Sequence, residues 1–154
     1  MKKTVSLIAI LAIVSVQQSF AQDSSKSSLL NSYYSLKDAL VKSNSNAASV
    51  SAASLVTQVN GIDKATLADE SRTALISDAL VISETKDIKI QRQHFASLSA
   101  NMLALAKTVK LSADPIYQEY CPMQNASWLS NSKTIKNPYY GSAMLSCGSV
   151  KATF

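Results

Sequence analysis

The sequence predicts a mainly α protein, an up-down four-helix bundle that carries a small C-terminal module rich in cysteine and aromatic residues. Residues 22–110 repeat apolar side chains every three or four positions, which is typical of amphipathic helices. Residues 111–154 instead hold six of the ten aromatic residues, all three prolines and both cysteines. We therefore expect a single domain over residues 22–154, with the bundle at 22–110 and a docked module of turns and short strands at 111–154.

Residues 1–21 are predicted to form a secretory signal peptide. Two lysines precede an apolar segment at residues 5–16, and Ser19 and Ala21 are the small residues of a cleavage site. The segment is too short for a membrane span, so we expect no stable span after cleavage. The predicted location is periplasmic or secreted.

The charge balance argues against a nucleic-acid-binding protein. Of the 15 basic residues, two lie in the predicted signal peptide, which leaves 13 basic against 10 acidic residues, a net charge of +3. The remaining lysines and arginines are scattered and form no basic run. A hydrophobic fraction of 47% also excludes a fully disordered chain.

Four apolar patterns predict the four helices. In chain order they are Leu29/Tyr33/Leu36/Leu40, Ala48/Ala52/Leu55/Val59, Leu75/Ala79/Ile82 and Phe95/Leu98/Met102/Leu105/Val109. The third and fourth patterns meet near residues 84–87. The connections are only a few residues long, which favours antiparallel neighbours.

Polar residues and helix breakers mark the predicted helix ends. Residues 44–46 are a run of asparagine and serine that separates the first two helices, and Gly61 is the predicted stop of the second. Thr66 with Asp69 resembles a capping box for the third helix. Pro115 is predicted to end the fourth helix at the preceding residue, because proline disfavours helical geometry there.

The C-terminal module has the signals of short strands and turns. Residues 116–120 are predicted to be extended, residues 150–154 alternate like a strand, and residues 137–138 and 140–141 mark turns. These 44 residues are too few to hold a core alone. We expect them to dock on the bundle, to be cross-linked or to bind a metal.

Two cysteines and two methionines cluster in this module, at Cys121, Met123, Met144 and Cys147. Thiolate and thioether are soft ligands, which suit Cu(I) or another soft metal ion better than Mg²⁺ or Ca²⁺. Met144 and Cys147 are three residues apart and would share one face of a short helical turn. The cluster therefore predicts a soft-metal site.

A disulfide between Cys121 and Cys147 is the alternative interpretation. An exported chain meets an oxidising compartment, and two cysteines are enough for one bridge. Met123 and Met144 would then fill gaps in the core. The residues alone leave both alternatives open.

The single histidine, His94, lies on the fourth predicted helix. It is either a boundary residue or a nitrogen ligand, if the module docks over that helix. One histidine without a catalytic motif around it leaves little for acid–base chemistry, so we expect a non-enzymatic protein.

Three aromatic residues of the module have two interpretations. Trp128, Tyr139 and Tyr140 either anchor the module on the bundle or form a partner-binding surface. The second interpretation belongs to an alternative function, a non-enzymatic envelope interaction module with a structural Cys121–Cys147 disulfide.

Several short motifs form a signature in the second half of the chain. They are Gln91-Arg92-Gln93-His94-Phe95, Tyr120-Cys121-Pro122-Met123, Trp128-Leu129, Asn137-Pro138-Tyr139-Tyr140-Gly141 and Met144-Leu145 with Cys147-Gly148. With this signature, the chain resembles a domain of unknown function found in exported bacterial proteins, alone or fused to CusB-like copper/silver efflux adaptors.

This resemblance implies copper or silver handling. It implies the ligands Cys121, Met123, Met144 and Cys147, with His94 as a further candidate, and a copper/silver efflux adaptor or another envelope protein as partner. The Tyr-Cys-Pro-Met piece is also similar to the start of heavy-metal-binding motifs in copper pumps, although Gln124 follows where those motifs continue with His-Pro. The predicted function is a periplasmic Cu(I)- or Ag(I)-binding protein that buffers the metal or transfers it to an efflux system.

Overall fold

The computed structural model describes residues 23–154, so the predicted signal peptide lies outside the described chain. In that part of the chain, four helices precede a three-stranded antiparallel sheet, which confirms the mainly α fold. The helices are α1 (residues 23–41), α2 (Ser45–Gly61), α3 (Asp69–Glu84) and α4 (Ile88–Thr108). The strands are β1 (Tyr117–Cys121), β2 (Ala126–Ser130) and β3 (Ser149–Thr153), with a 3-10 turn at Gly141–Met144. None of the helices in residues 23–154 is long and apolar enough to cross a membrane.

Helices α1 and α4 run antiparallel, as an up-down-up-down bundle requires. The Tyr33 hydroxyl of α1 bonds Ser99 of α4 at 2.7 Å, and the Leu40 carbonyl near the end of α1 accepts from Arg92 near the start of α4 at 3.0 Å. Helix α3 packs between α2 and α4. The short connections in the sequence thus do join antiparallel neighbours.

The predicted end of α2 at Gly61 is confirmed, but the helix begins at Ser45, within the predicted separator at residues 44–46. The Asn44 side chain caps its start by accepting a hydrogen bond from the Ala47 N–H at 3.0 Å, and the helix ends at Gly61. The Asn44 cap satisfies one of the N–H groups that the first turn leaves without a partner.

The predicted capping box of α3 is wrong. The helix begins at Asp69, and Ala68 occupies the cap position without a side-chain hydrogen bond. Thr66 instead bonds Asp63, which accepts from its backbone N–H at 2.8 Å and from its hydroxyl at 3.1 Å. The aspartate three residues upstream therefore forms a separate polar turn before the helix.

Helix α4 ends at Thr108, six residues before the predicted stop at Asp114. Val109 is already extended, and the following segment buries Leu111 and Ile116 in the core. Because the chain leaves the helix well before Pro115, the proline does not end it.

The sheet has the strand order β2-β1-β3. Glu119 pairs with Trp128 and Cys121 with Ala126 across β1 and β2, while β3 pairs with the other edge of β1. The two predicted extended segments are confirmed as β1 and β3. Strand β2 was not predicted, because three consecutive residues at its end are buried and the alternating pattern is absent.

A chain of aromatic rings joins the bundle to the module. Tyr33 stacks on Phe95 with centroids 5.4 Å apart, Phe95 contacts Tyr139 at 5.9 Å, and Tyr139 contacts Trp128 edge-on at 5.8 Å. Each of these rings is buried. The module is thus docked over α1 and α4 by aromatic packing.

Candidate functional site

The structure brings the two cysteines together at one edge of the sheet. Cys121 is the last residue of β1 and is buried, whereas Cys147 follows the 3-10 turn and is partly exposed. Their Sγ atoms lie 3.5 Å apart, and both are free thiols. This distance is longer than the roughly 2.05 Å of a disulfide bond, but short enough for two sulfurs that share a proton or a ligand.

The turn after β1 places hydrogen-bond donors around the Cys121 sulfur. The backbone N–H groups of Gln124 and Met123 both point at it. Asn125, with a φ of 52°, closes the turn, and its side chain accepts a hydrogen bond from the Tyr120 hydroxyl at 2.8 Å. Burial alone would raise the pKa of the Cys121 thiol, but the Gln124 N–H and the other hydrogen bonds outweigh it, so this pKa lies below its ordinary value.

The pKa of the Cys147 thiol shifts in the opposite direction. Its hydrogen bond to Cys121 is the largest cause, followed by burial, and both raise the pKa. Cys121 therefore loses its proton first, and the Cys147 thiol donates to the thiolate that forms. A pair of this kind holds one negative charge readily and resists the second until a cation arrives.

Asn137 holds the Cys147 segment against the sheet. It is buried; its Nδ2 donates to the Cys147 carbonyl at 2.8 Å, and its Oδ1 accepts from the Tyr139 N–H at 2.8 Å. Its side chain also bonds the Cys121 sulfur. The sequence indicated Asn137 only as part of an Asn-Pro turn. Sequence analysis therefore did not predict that it connects the two cysteines.

Gly148 fixes the backbone beside Cys147. It adopts a φ of 147°, and a Cβ there would lie 2.9 Å from the Tyr120 carbonyl and 3.0 Å from the Trp128 ring. Only glycine fits this close approach without a shift of the sheet. The glycine after Cys147 thus sets where the thiol sits.

The two methionines flank the pair at the surface. The Met123 side chain is 64% exposed, and Met144 is partly exposed. The Cys147 N–H donates to the Met144 carbonyl at 3.0 Å, which is the short helical turn that the spacing predicted. Because neither thioether is packed in the core, their interpretation as core-filling residues is wrong.

His94 lies on another face of α4. Its Nδ1 is 2.9 Å from Asp78 Oδ1 on α3, whereas Arg92, two residues earlier, donates to the Pro138 carbonyl of the module at 2.9 Å. Two residues correspond to about 200° around a helix, so these side chains leave α4 on opposite sides. The structure does not bring His94 to the cysteines.

Two of the three predicted partner-binding aromatic residues are in the core. Trp128 and Tyr139 are buried, and the Tyr139 hydroxyl donates to the Ser127 carbonyl at 2.7 Å. The partner-binding prediction is therefore wrong for both, and their interpretation as anchors fits their burial. Tyr140 is partly exposed and stays a prediction.

Across residues 23–154, no group of three or more histidine, cysteine, aspartate and glutamate side chains is placed to hold a metal ion. The candidate donors are thus two thiols and two thioethers. A closed zinc site takes four ligands from cysteine, histidine and carboxylates, and this site offers only two of them. The donor set fits a soft ion of low coordination number.

The fold and site define a four-helix domain whose C-terminal module holds two adjacent thiols, one buried and one partly exposed. Residues 29–114 match the model of a family described as protein of unknown function (DUF3347), and the chain belongs to this family. The match begins within α1, runs through α4 and stops before β1, so the cysteines lie outside it. Searches of curated proteins and of solved structures gave no match.

Proposed function

We propose that this protein is a non-enzymatic, periplasmic binding protein for Cu(I) or Ag(I), which buffers the ion or transfers it to an efflux system. The ion is cargo, held by the sulfurs of Cys121 and Cys147. The observation that supports this most is the separation of 3.5 Å between a buried Cys121 sulfur, which accepts several hydrogen bonds, and a partly exposed Cys147 sulfur.

The geometry of the pair suits a shared ion. Two sulfurs that each lie about 2.3 Å from a metal are roughly 4.0 Å apart at a trigonal angle and roughly 3.8 Å apart at a tetrahedral angle. The observed distance of 3.5 Å needs only a small opening. Binding deprotonates both thiols, and the lowered pKa of Cys121 reduces the free energy needed for the first of the two protons.

The thioethers of Met123 and Met144 complete the donor set. A thioether carries no proton, so its affinity for a soft ion does not fall at low pH. Met123 is the more exposed of the two, and rotation about its side-chain bonds would bring its sulfur over the ion. Each methionine adds a weak, exchangeable ligand to the thiolates.

Partial exposure suits transfer of the ion. Cys147 and both methionines are reachable from solvent, whereas Cys121 is buried. An acceptor sulfur on a partner could therefore replace the exposed ligands one at a time. A copper/silver efflux adaptor or another envelope protein is the proposed partner.

The second candidate is an envelope interaction module in which Cys121 and Cys147 form a structural disulfide. The same 3.5 Å separation supports it, because a small rotation would bring the sulfurs to bonding distance. The surface beside the pair exposes Met123 and Leu145, with Tyr140 partly exposed, and these residues would form the docking surface in place of Trp128 and Tyr139.

Anaerobic competition with a Cu(I) chelator tests the metal-binding proposal. The reduced protein should bind one equivalent, and the double variant Cys121→Ser, Cys147→Ser should lose more than about 100-fold in affinity. Met144→Leu should weaken binding less, whereas Met102→Leu, in the buried core, is the matched control and should leave it unchanged. If the folded double variant binds Cu(I) as tightly as the parent protein, the proposal is wrong.

A further inference from the structure

We propose that the cysteine pair reacts with external disulfides in a fixed order: the Cys147 sulfur attacks first and forms a mixed disulfide, and Cys121 then closes the intramolecular disulfide. The inference goes beyond ion binding, since it concerns the metal-free protein. Its reagent class is a small disulfide, for which oxidised glutathione is the probe. Its basis is the unequal exposure of two sulfurs that lie 3.5 Å apart.

Access favours Cys147 for the first reaction. Cys147 is partly exposed, and its neighbours Leu145, Ser146 and Ser149 are exposed. Cys121 is buried at the end of the central strand of the sheet, paired with Ala126. A disulfide of glutathione size can thus approach Cys147 from solvent but cannot reach Cys121 without opening of the sheet.

The position of Cys121 suits it for the second reaction. Attack on a disulfide sulfur needs the nucleophile, the attacked sulfur and the leaving sulfur nearly in line. Cys121 lies on the buried side of Cys147, so a group attached to Cys147 points to solvent, opposite Cys121. The Cys121 sulfur already lies 3.5 Å from the Cys147 sulfur that it would attack.

Atoms, protons and electrons balance over the two thiol–disulfide exchange steps. The Cys147 thiol passes its proton to the Cys121 thiolate, and the Cys147 sulfur attacks one sulfur of the external disulfide; a mixed disulfide forms, and the released thiolate takes that proton from Cys121. The Cys121 thiolate then attacks the Cys147 sulfur, the second external thiolate leaves, and it takes the Cys121 proton. Two electrons pass from the cysteines to the external disulfide, which becomes two thiols.

The same reaction would control whether Cys121 and Cys147 can hold an ion, a consequence that rests on the proposed function. In the disulfide form neither sulfur is a thiolate, so oxidation would release a bound ion. The order of reaction is tested without metal, and its failure is therefore distinguishable from a failure of ion binding.

Intact mass after exposure of the reduced, metal-free protein to oxidised glutathione tests the order. The parent protein should become two hydrogen atoms lighter, with no lasting adduct. Cys121→Ser should hold a stable glutathione adduct on Cys147, whereas folded Cys147→Ser should react at least about tenfold more slowly. In denaturant both variants should react alike, which controls for intrinsic thiol reactivity.

Two results would overturn the order. One is an adduct on folded Cys147→Ser that forms as fast as that on Cys121→Ser. The other is a mixed disulfide that accumulates on the parent protein. If either variant fails to fold, peptide mapping of the reduced parent protein after brief alkylation takes its place: Cys147 should be labelled first, and equal labelling or earlier labelling of Cys121 contradicts the proposal.

Discussion

The hydroxyl of Tyr33 accepts a hydrogen bond from the backbone N–H of Leu129, with an oxygen–nitrogen distance of 3.0 Å. This bond joins α1, within the family match, to β2, which lies outside it. Next to Leu129 is Trp128, whose ring lies against Gly148 beside Cys147. The bundle is thus linked to the cysteine pair by two successive contacts, Tyr33 with Leu129 and Trp128 with Gly148.

Tyr33→Phe should destabilise the protein by about 1–3 kcal/mol. It leaves the ring stacked on Phe95 but removes the hydroxyl, so the buried Leu129 N–H loses its partner. Urea denaturation measures the change. Tyr120→Phe is the matched control, because its hydroxyl makes a single exposed bond to Asn125 and should matter by less than about 0.5 kcal/mol. Equal effects of the two substitutions would contradict the buried tether.

Gly141→Ala should destabilise the protein by about 1–3 kcal/mol. Gly141 adopts a φ of 57°, and a Cβ there would lie 2.6 Å from the Arg92 guanidinium and 2.9 Å from the Val41 carbonyl. The Arg92 Nη2 group would have to give up its bonds to the Leu40 carbonyl and the Ser43 hydroxyl. Gly61→Ala is the control: nothing lies within 4 Å of its Cβ position, so it should be neutral or slightly stabilising. Thermal unfolding of both variants checks the difference, and a neutral Gly141→Ala would refute it.

Glu119 should make stability fall as the pH rises. Burial raises the pKa of its carboxyl from 4.5 to about 7, although the charge of Lys37 lowers it. The folded state therefore holds this proton more tightly than the unfolded chain. The stabilisation is complete below pH 4.5 and is lost as the pH rises through about 7.

Glu119→Gln should remove this dependence. At pH 8 the variant should be more stable than the parent by about 1–3 kcal/mol, because no carboxylate is buried at this position. The free energy of unfolding between pH 5 and 8 is the measurement, with the exposed Glu84→Gln as the control that keeps the parent slope. A parent slope that persists in Glu119→Gln would show that another group titrates.

His94→Gln should leave Cu(I) affinity unchanged within about threefold, well below the tenfold or greater loss expected near a metal ligand. Its imidazole bonds Asp78 on α3 and faces away from the module. Because His94 and Asp78 are both partly exposed, the loss of their hydrogen bond should lower the stability by only about 0.2–1 kcal/mol. A loss of Cu(I) affinity above tenfold in the chelator competition would show that His94 contributes to the metal site.

The helices were predictable because their apolar residues follow one period over long segments. The patterns that contain Tyr33 and Phe95 predicted both as core residues, and both are buried. Local polar signals were less reliable: Thr66 lies near two aspartates, and the sequence alone does not show that Asp63 takes the bond. Such choices depend on packing that develops only in the folded chain.

The cysteine pair was predictable in composition but not in geometry. The softness of sulfur as a metal ligand indicated Cys121 and Cys147. The roles of Asn137 and Gly148 could not be predicted, because they depend on a turn that packs against the sheet. His94 was a reasonable candidate as the single histidine on a helix near the module. Its face could not be assigned without the position of Asp78.

Copper binding by the reduced and disulfide forms of the same protein tests the central claim most directly. Both forms have an identical sequence, and intact mass identifies each before an anaerobic Cu(I) competition titration. We predict one tightly bound equivalent for the reduced form and no competition by the disulfide form. Equal binding by the two forms, or no binding by the reduced form, would contradict the claim that the sulfurs of Cys121 and Cys147 hold the ion.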